Sequence, residues 1–330
     1  MTALPITFAC GLYDRMLALQ TGEIKPDGID LNFLVMDNPR EIFDRMSNRL
    51  EFDACEMSSS EFVSRYAAKK LPFVALPVFA SRVFRHGFIV VNRRLVKSPK
   101  DLEGKRVGVP LYTQTAAIWL RGHLMHQFGV DIGRIRYVQG AVETPGSHGH
   151  PHALPLLRPA PIENNTTGRP LGELLAAGEI DAYLGSRKPP SFGTHPDVTR
   201  LLPDHHARER ELFERERIFP IMHLVAIRRA LYERHPWIAS SLYAAFVEAK
   251  RIARARLRYA GSLAAMLPWL QDEIEEIDAV FPGGDPFPYG IEPNRPTLEA
   301  LVGYMVEQHF IPRPIPLESL FVPLPGAPAT

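Results

Sequence analysis

Asp101–His126, DLEGKRVGVPLYTQTAAIWLRGHLMH, is the stretch whose reading decides the fold. The polar turn DLEGK leads into a short apolar strand, Arg106 to Val109, which Pro110 ends. Tyr112, Thr113, Gln114 and Thr115 then open a helix carrying Ile118, Trp119, Leu120, His123 and Leu124. Strand, turn and hydroxyl-rich helix start are how α/β proteins offer backbone N–H groups and a positive helix end to an anion. The turn lacks the glycines and the closing Lys-Ser/Thr of a phosphate loop, so a carboxylate or phenol oxygen suits it better. The plainer reading of the same residues is a helix capped by Thr113.

Outward from this unit the same rhythm repeats. Ile6 to Cys10 reads as a strand, followed by Gly11 to Arg15 and a helix; Ile29 to Val35 alternates as a second strand. Pro39 opens a helix through Ile42, Phe43 and Met46. Phe52 to Met57 is a third strand running into Ser58-Ser59-Ser60. Phe73 to Phe79 and Gly87 to Asn92 are strands joined by Ser81 to His86. If that connector is extended, Arg82, Phe84 and His86 share one face and Arg85 takes the other. Further strands are expected near Ile135 to Val138, Glu179 to Leu184 and Ile218 to Arg228, and helices at Pro170 to Gly178, Asp204 to Arg217, from Pro236, and up to about His309. Such alternation predicts a mostly parallel sheet. Ligands of such sheets collect beyond the carboxyl ends of the strands, where Tyr13, Asp14, Glu56 and Ser58 would stand. Cys10 and Cys55 end strands there too and read as packing thiols.

With 330 residues, 45% apolar and 23% charged, the chain has room for two ordinary domains. A net charge of +1 provides no attraction for nucleic acid or an anionic membrane. No apolar run reaches the roughly 18 residues of a membrane span. The opening MTALPITFACGLYDR shows no basic region, apolar core or small-residue cleavage site, so the expectation is a cytoplasmic protein with reduced cysteines. His148, His150 and His152 alternate in a Pro-rich loop; they could converge on a metal, but without a nearby carboxylate the loop reads as solvated. The alternating charges of Asp204 to Arg217 and the Lys250, Arg251, Arg254 and Arg258 row read as solvated faces. No dinucleotide fingerprint or Schiff-base lysine context stands out, so no organic cofactor is expected.

DLEGKRVGVP with its helix start, LLAAGEIDAYL, and the strand leading into RRALYERHPWIASSLYAAF are similar to the type II periplasmic-binding-protein fold. More specifically, FDACEMSSSEFV, SRVFRHGFIVVN, FPIMHLVAIRR and YGIEPNRPTLEAL resemble the 4,5-dihydroxyphthalate decarboxylase family. The resemblance implies a two-lobed α/β protein with mixed sheets and a central cleft. Lobe one would comprise residues 1–86 and 221–330, and lobe two residues 87–220. It implies a carboxy-lyase of bacterial aromatic catabolism that removes one carboxyl group from a hydroxylated aromatic dicarboxylate. The fold equally suits a solute-binding protein that hands an aromatic acid to an ABC transporter.

A substrate with two carboxylates calls for guanidinium groups, and Arg82, Arg85, Arg187 and Arg295 are the candidates. Loss of carbon dioxide through a para hydroxyl needs an acid at the ring and a base at the phenol. His86 and His223 are the candidate acids; Glu56, Asp14 and Glu292 are the candidate bases. Tyr13, Tyr112 and Thr115 would supply hydroxyl contacts, with Ser58 beside them. A divalent metal is compatible with catechol and carboxylate oxygens. The long apolar-faced helix and the Pro-rich tail are where a second copy of the chain would dock.

Overall fold

The computed structural model describes residues 3–146, 148–149 and 154–325. Among them, strands β1 (Leu4–Cys10), β2 (Ile29–Val35), β3 (Ala54–Ser58), β4 (Phe73–Arg82) and β11 (Ile221–Arg228) form one sheet in the order β2-β1-β3-β11-β4. The other sheet contains β5 (Ile89–Asn92), β6 (Arg106–Val109), β7 (Arg136–Gln139), β8 (Ile162–Asn164), β9 (Ala182–Leu184) and β10 (Val198–Arg200), in the order β10-β5-β9-β6-β7-β8. Both are mixed. In the first, β11 runs antiparallel to β3 and β4; in the second, β5 runs antiparallel to β9 and β10. The α/β class is the one the alternation predicts; the mixed sheets follow the resemblance and correct the expectation of a mostly parallel sheet.

Helices cover both faces of the first sheet, which is why its strands read as near-continuous apolar runs. One face packs Ile42, Phe43 and Met46 with Phe62, Leu301 and Met305. The other packs Ile238, Leu242 and Phe246 of the Ile238–Leu257 helix against Phe8, Val225 and Ile227. β8 and β10 do not show in the sequence: three residues are too few for a periodic signal. The Leu270–Val280 helix also escapes the sequence reading.

The connector after β4 corrects one expectation. The strand continues to Arg82, but the backbone then turns into a 3-10 helix at His86–Phe88. Alternation therefore breaks, and Arg82 and His86 end in different surroundings. Arg82 donates to Asn294 Oδ1 at 2.6 Å and to the Phe219 carbonyl at 2.8 Å, with its guanidinium over the Phe219 ring.

The Thr115–Phe128 helix is buried from Thr115 to Leu124, charged and polar side chains such as Arg121 and His123 included. Trp119 Nε1 donates to the Ile221 carbonyl at 3.0 Å, tying it to β11. One turn on, a Cβ at Gly122 would lie 2.1 Å from the Tyr304 ring, so only glycine admits the Arg295–Glu307 helix this closely. Arg121 donates to Gln308 Oε1 at 2.8 Å, and Gln308 Nε2 donates to the Ile118 carbonyl at 3.0 Å. These contacts place the helix N-terminus beside the carboxyl end of β3.

Candidate active site in the cleft between the sheets

A cleft of about 1250 Å³ opens where the two sheets meet, lined from both. Its floor is set by strand register. β1 and β3 run parallel with Ala9 opposite Cys55, which brings the Cys10 end level with Glu56. β11 pairs with β3 so that His223 faces Ser58 and Val225 faces Glu56. Glu56 and His223 are therefore diagonal cross-strand neighbours. Toward β4 the register of β11 shifts on both sides of His223. Irregularities of this kind re-aim a side chain.

Glu56 is fully buried. Its Oε1 accepts from His223 Nδ1 at 2.5 Å and from the Tyr13 hydroxyl at 2.6 Å. Its Oε2 accepts from the Gly11 N–H at 3.1 Å and lies 3.5 Å from Cys10 Sγ. Burial pushes this carboxyl up. The charge and hydrogen bond of His223, with those from Tyr13 and Gly11, outweigh it and hold Glu56 below the usual carboxylate range. The Tyr13 hydroxyl is raised, first by burial and then by the Glu56 charge. Cys10 is likewise raised, chiefly by burial, and stays a thiol. His223 is partly exposed and lines the cleft, with Phe43 edge-on to its ring at 4.9 Å. Its Nε2 takes no protein partner among the described residues.

Arg85 reaches the same cleft from the connector after β4. It is 4% exposed, donates through Nη1 to the Ser186 carbonyl at 3.1 Å, and places Nε 3.2 Å from Met222 Sδ. Burial lowers its pKa to about 10, which still leaves it charged at neutral pH.

Two helix starts converge beside these groups. Ser58 caps the Ser59–Ala67 helix, accepting from the Glu61 N–H at 3.5 Å. Thr115 Oγ1 hydrogen-bonds Ser58 at 3.0 Å and Ser60 at 2.8 Å, and accepts from the Ser60 N–H at 3.2 Å. The expected cap at Thr113 is not formed: Gln114 takes the cap position and makes no side-chain cap bond. Its Nε2 instead donates to Ser186 Oγ at 3.0 Å. The first-turn N–H groups of this helix, including that of the cleft-lining Ala116, are thus free of a side-chain cap.

Of the candidates from sequence, the structure brings Tyr13, Glu56, Ser58, Arg85, Thr115, Arg187 and His223 together in or behind the cleft. Arg187 is the exposed member, 3.5 Å from Glu143. The others stand apart. His86 is buried, with Nε2 2.8 Å from Gln127 and its ring stacked on His123 at 4.6 Å. Tyr112 packs into the second sheet's core under the Arg121 guanidinium, 3.9 Å from its ring centre. Arg82 is held by Asn294 and Phe219, and Asp14 faces solvent and binds Arg15 at 3.1 Å. Glu292 and Arg295 form an ion pair with Glu318 on the surface. Accordingly, Arg295→Ala is expected to leave kcat and KM unchanged in a steady-state assay.

Sequence reasoning missed Arg40 and Met222, which line the cleft beside Gln114 of the helix start. Arg40 left a signal: it puts a cation in the first turn of a helix, against its dipole. His148 also lines the cleft, with Nε2 3.4 Å from Gln114 Nε2. His150 and His152, its partners in the histidine loop, lie outside the described residues. Among the described residues no three His, Cys, Asp or Glu side chains are grouped to hold a metal, and no helix is long and apolar enough to cross a membrane.

No family model matches the chain. Among characterised proteins, 4,5-dihydroxyphthalate decarboxylase of Comamonas testosteroni is 38% identical over 296 residues, covering 89% of each chain. The protein of the same name from Pseudomonas putida is 38% identical over 208 residues, covering 62% of this chain and 79% of that one. Among solved structures, the periplasmic aliphatic sulphonate binding protein of Escherichia coli superposes with a TM-score of 0.54 at 13% identity, covering 97% of each chain. The alkanesulfonate-binding protein of Xanthomonas axonopodis pv. citri, bound to MOPS, gives 0.52 at 10% identity, covering 98% of this chain and 99% of that one. Identities this low show the fold alone. The chain therefore belongs to the 4,5-dihydroxyphthalate decarboxylase family, a family of carboxy-lyases, carried here on the periplasmic-binding-protein fold.

Proposed function

We propose that the chain converts 4,5-dihydroxyphthalate to protocatechuate and carbon dioxide by protonating the aromatic ring. The single observation that carries this reading is His223. Its Nδ1 is bound by a buried carboxylate, while its Nε2 has no partner among the described residues in a cleft that also holds a buried guanidinium.

Direct loss of carbon dioxide would leave an aryl carbanion. The hydroxyl para to the departing carboxylate supplies another course. As the phenol gives up its proton, electron density reaches the ipso carbon, which takes a proton from His223 Nε2. The bond to the carboxylate then breaks, its electron pair restores the aromatic ring, and carbon dioxide leaves. The phenolate oxygen takes back the proton it gave up, so one proton is consumed overall, and solvent restores the one lost from His223. Glu56 compensates the positive charge of the ring when both nitrogens carry protons, and Tyr13 holds Glu56 from the other side. His148 suits the phenol proton: burial, then the Arg40 and Arg187 charges, lower its pKa and favour the neutral imidazole that accepts one. The uncapped helix start suits the phenolate oxygen. The two carboxylates of this substrate are related by symmetry, so losing either yields the same product.

The test is to incubate the purified protein with 4,5-dihydroxyphthalate, with and without a chelator, and follow carbon dioxide and protocatechuate. Equal release of both is expected. Tight binding without release would overturn the reading and favour a solute-binding role, and loss of release only in chelator would add a metal to the chemistry.

A further inference from the structure

Protocatechuate poses a problem for the chemistry just described. It still carries a carboxylate para to a hydroxyl, so the same electronic route would convert it to catechol. Electronic activation cannot be what stops the reaction after one carboxyl group; position must.

The charges of the cleft point to the residue responsible. Arg40 is neutralised by Asp44 at 2.6 Å and Glu61 at 3.2 Å, and Arg65 by Glu61 at 3.0 Å. Arg187 faces Glu143 at 3.5 Å. Arg45 and Arg49 share Glu51. Among the described arginines lining the cleft, Arg85 alone has no carboxylate partner. It is also nearly fully buried, and its Nη2 makes no hydrogen bond among the described residues. A desolvated guanidinium with a vacant N–H edge is the strongest carboxylate site available there. It contacts Met222, the chain neighbour of His223.

We infer that Arg85 holds the carboxylate that is retained and thereby limits the enzyme to one decarboxylation; this rests on the reaction proposed above. With an ortho-dicarboxylate, one carboxylate occupies Arg85 and the adjacent ring carbon, bearing the other, meets His223 Nε2. With protocatechuate, the lone carboxylate occupies Arg85 and the carbon at His223 bears hydrogen. A proton added there is matched by the proton lost, so the outcome is hydrogen exchange, with no C–C bond broken. The carbon concerned is C6 of protocatechuate, ortho to the carboxylate and para to the 3-hydroxyl.

The experiment has two arms. Wild-type protein is incubated with protocatechuate in deuterium oxide, and the ring is read by proton NMR with catechol sought alongside. Enzyme-dependent loss of the C6 proton signal is expected, without catechol. Arg85→Gln and Arg85→Lys are then compared with wild type on 4,5-dihydroxyphthalate, after circular dichroism has shown them folded. Arg85→Gln is expected to raise KM roughly tenfold to a hundredfold, the loss of one charge-assisted contact, and to abolish C6 exchange. Arg85→Lys, which keeps the charge but not the fork, should fall between. If Arg85→Gln does not fold, the Lys variant carries the same comparison. Catechol formation by the wild type, or an unchanged KM with unchanged C6 exchange in the variants, overturns the assignment while the decarboxylation reading survives. Absence of carbon dioxide from 4,5-dihydroxyphthalate with the wild type overturns both.

Discussion

His223→Gln is expected to lower kcat by about 10²–10⁴-fold, the usual worth of a positioned general acid, with little change in substrate affinity. Glutamine can still donate an N–H toward Glu56, so the local hydrogen bond has a substitute. What it cannot do is hold a proton on the cleft side and release it to carbon. The anion site proposed on Arg85 and the uncapped helix start is left intact. The measurement is steady-state kinetics beside a calorimetric affinity for protocatechuate. His86→Gln is the matched control: His86 is buried against Gln127 and His123 and does not line the cleft, so its replacement should show in thermal stability before it shows in the chemical step. Full turnover in His223→Gln would remove the acid from the mechanism.

Glu56→Gln should unfold more easily by about 3–5 kcal/mol at neutral pH, the usual result of removing one partner of a buried charged pair. Four groups surround the carboxylate: the Gly11 N–H, the Tyr13 hydroxyl, the His223 Nδ1–H and the Cys10 thiol. Both oxygens accept, so an amide must turn its NH₂ toward donors whichever way it is placed. Turnover should fall as well, because the carboxylate is what orients His223. The pH dependence has a definite sign. The folded-state pKa of Glu56 is depressed, so its stabilisation is fully present above the unfolded value of about 4.3 and is lost as pH falls through the folded value. Thermal midpoints taken from pH 7 down to pH 3 should show the wild type approaching the variant only in acid. A gap that stays constant over that range would mean the carboxylate is not ionised in the native state.

The contrast between the two histidines shows where local reading stops. His86 and His223 both lie beside a strand in an otherwise apolar stretch, and nothing local ranks one above the other. What separates them is the turn after Arg82, which carries His86 away, and the register shifts beside His223, which turn it into the cleft. Similarly, SRVFRH presents two arginines three residues apart. Arg82 becomes a packing cation and Arg85 a vacant one, because their surroundings come from Phe219, Asn294 and Ser186, all more than 100 residues away.

By itself the sequence determined the α/β class, most strands and helices, and the kinds of side chain available at the strand ends. Those properties follow from periodicity, turn chemistry and helix-start residues, all of which act within a few positions along the chain. Only the tertiary structure decided that Glu56 would grip His223 across 167 residues, and that Arg82 would be held by Asn294 while Arg85 faced the cleft. The physical reason is that sheet order and register are set by how whole faces bury against one another, and that cost is shared among residues no local pattern connects.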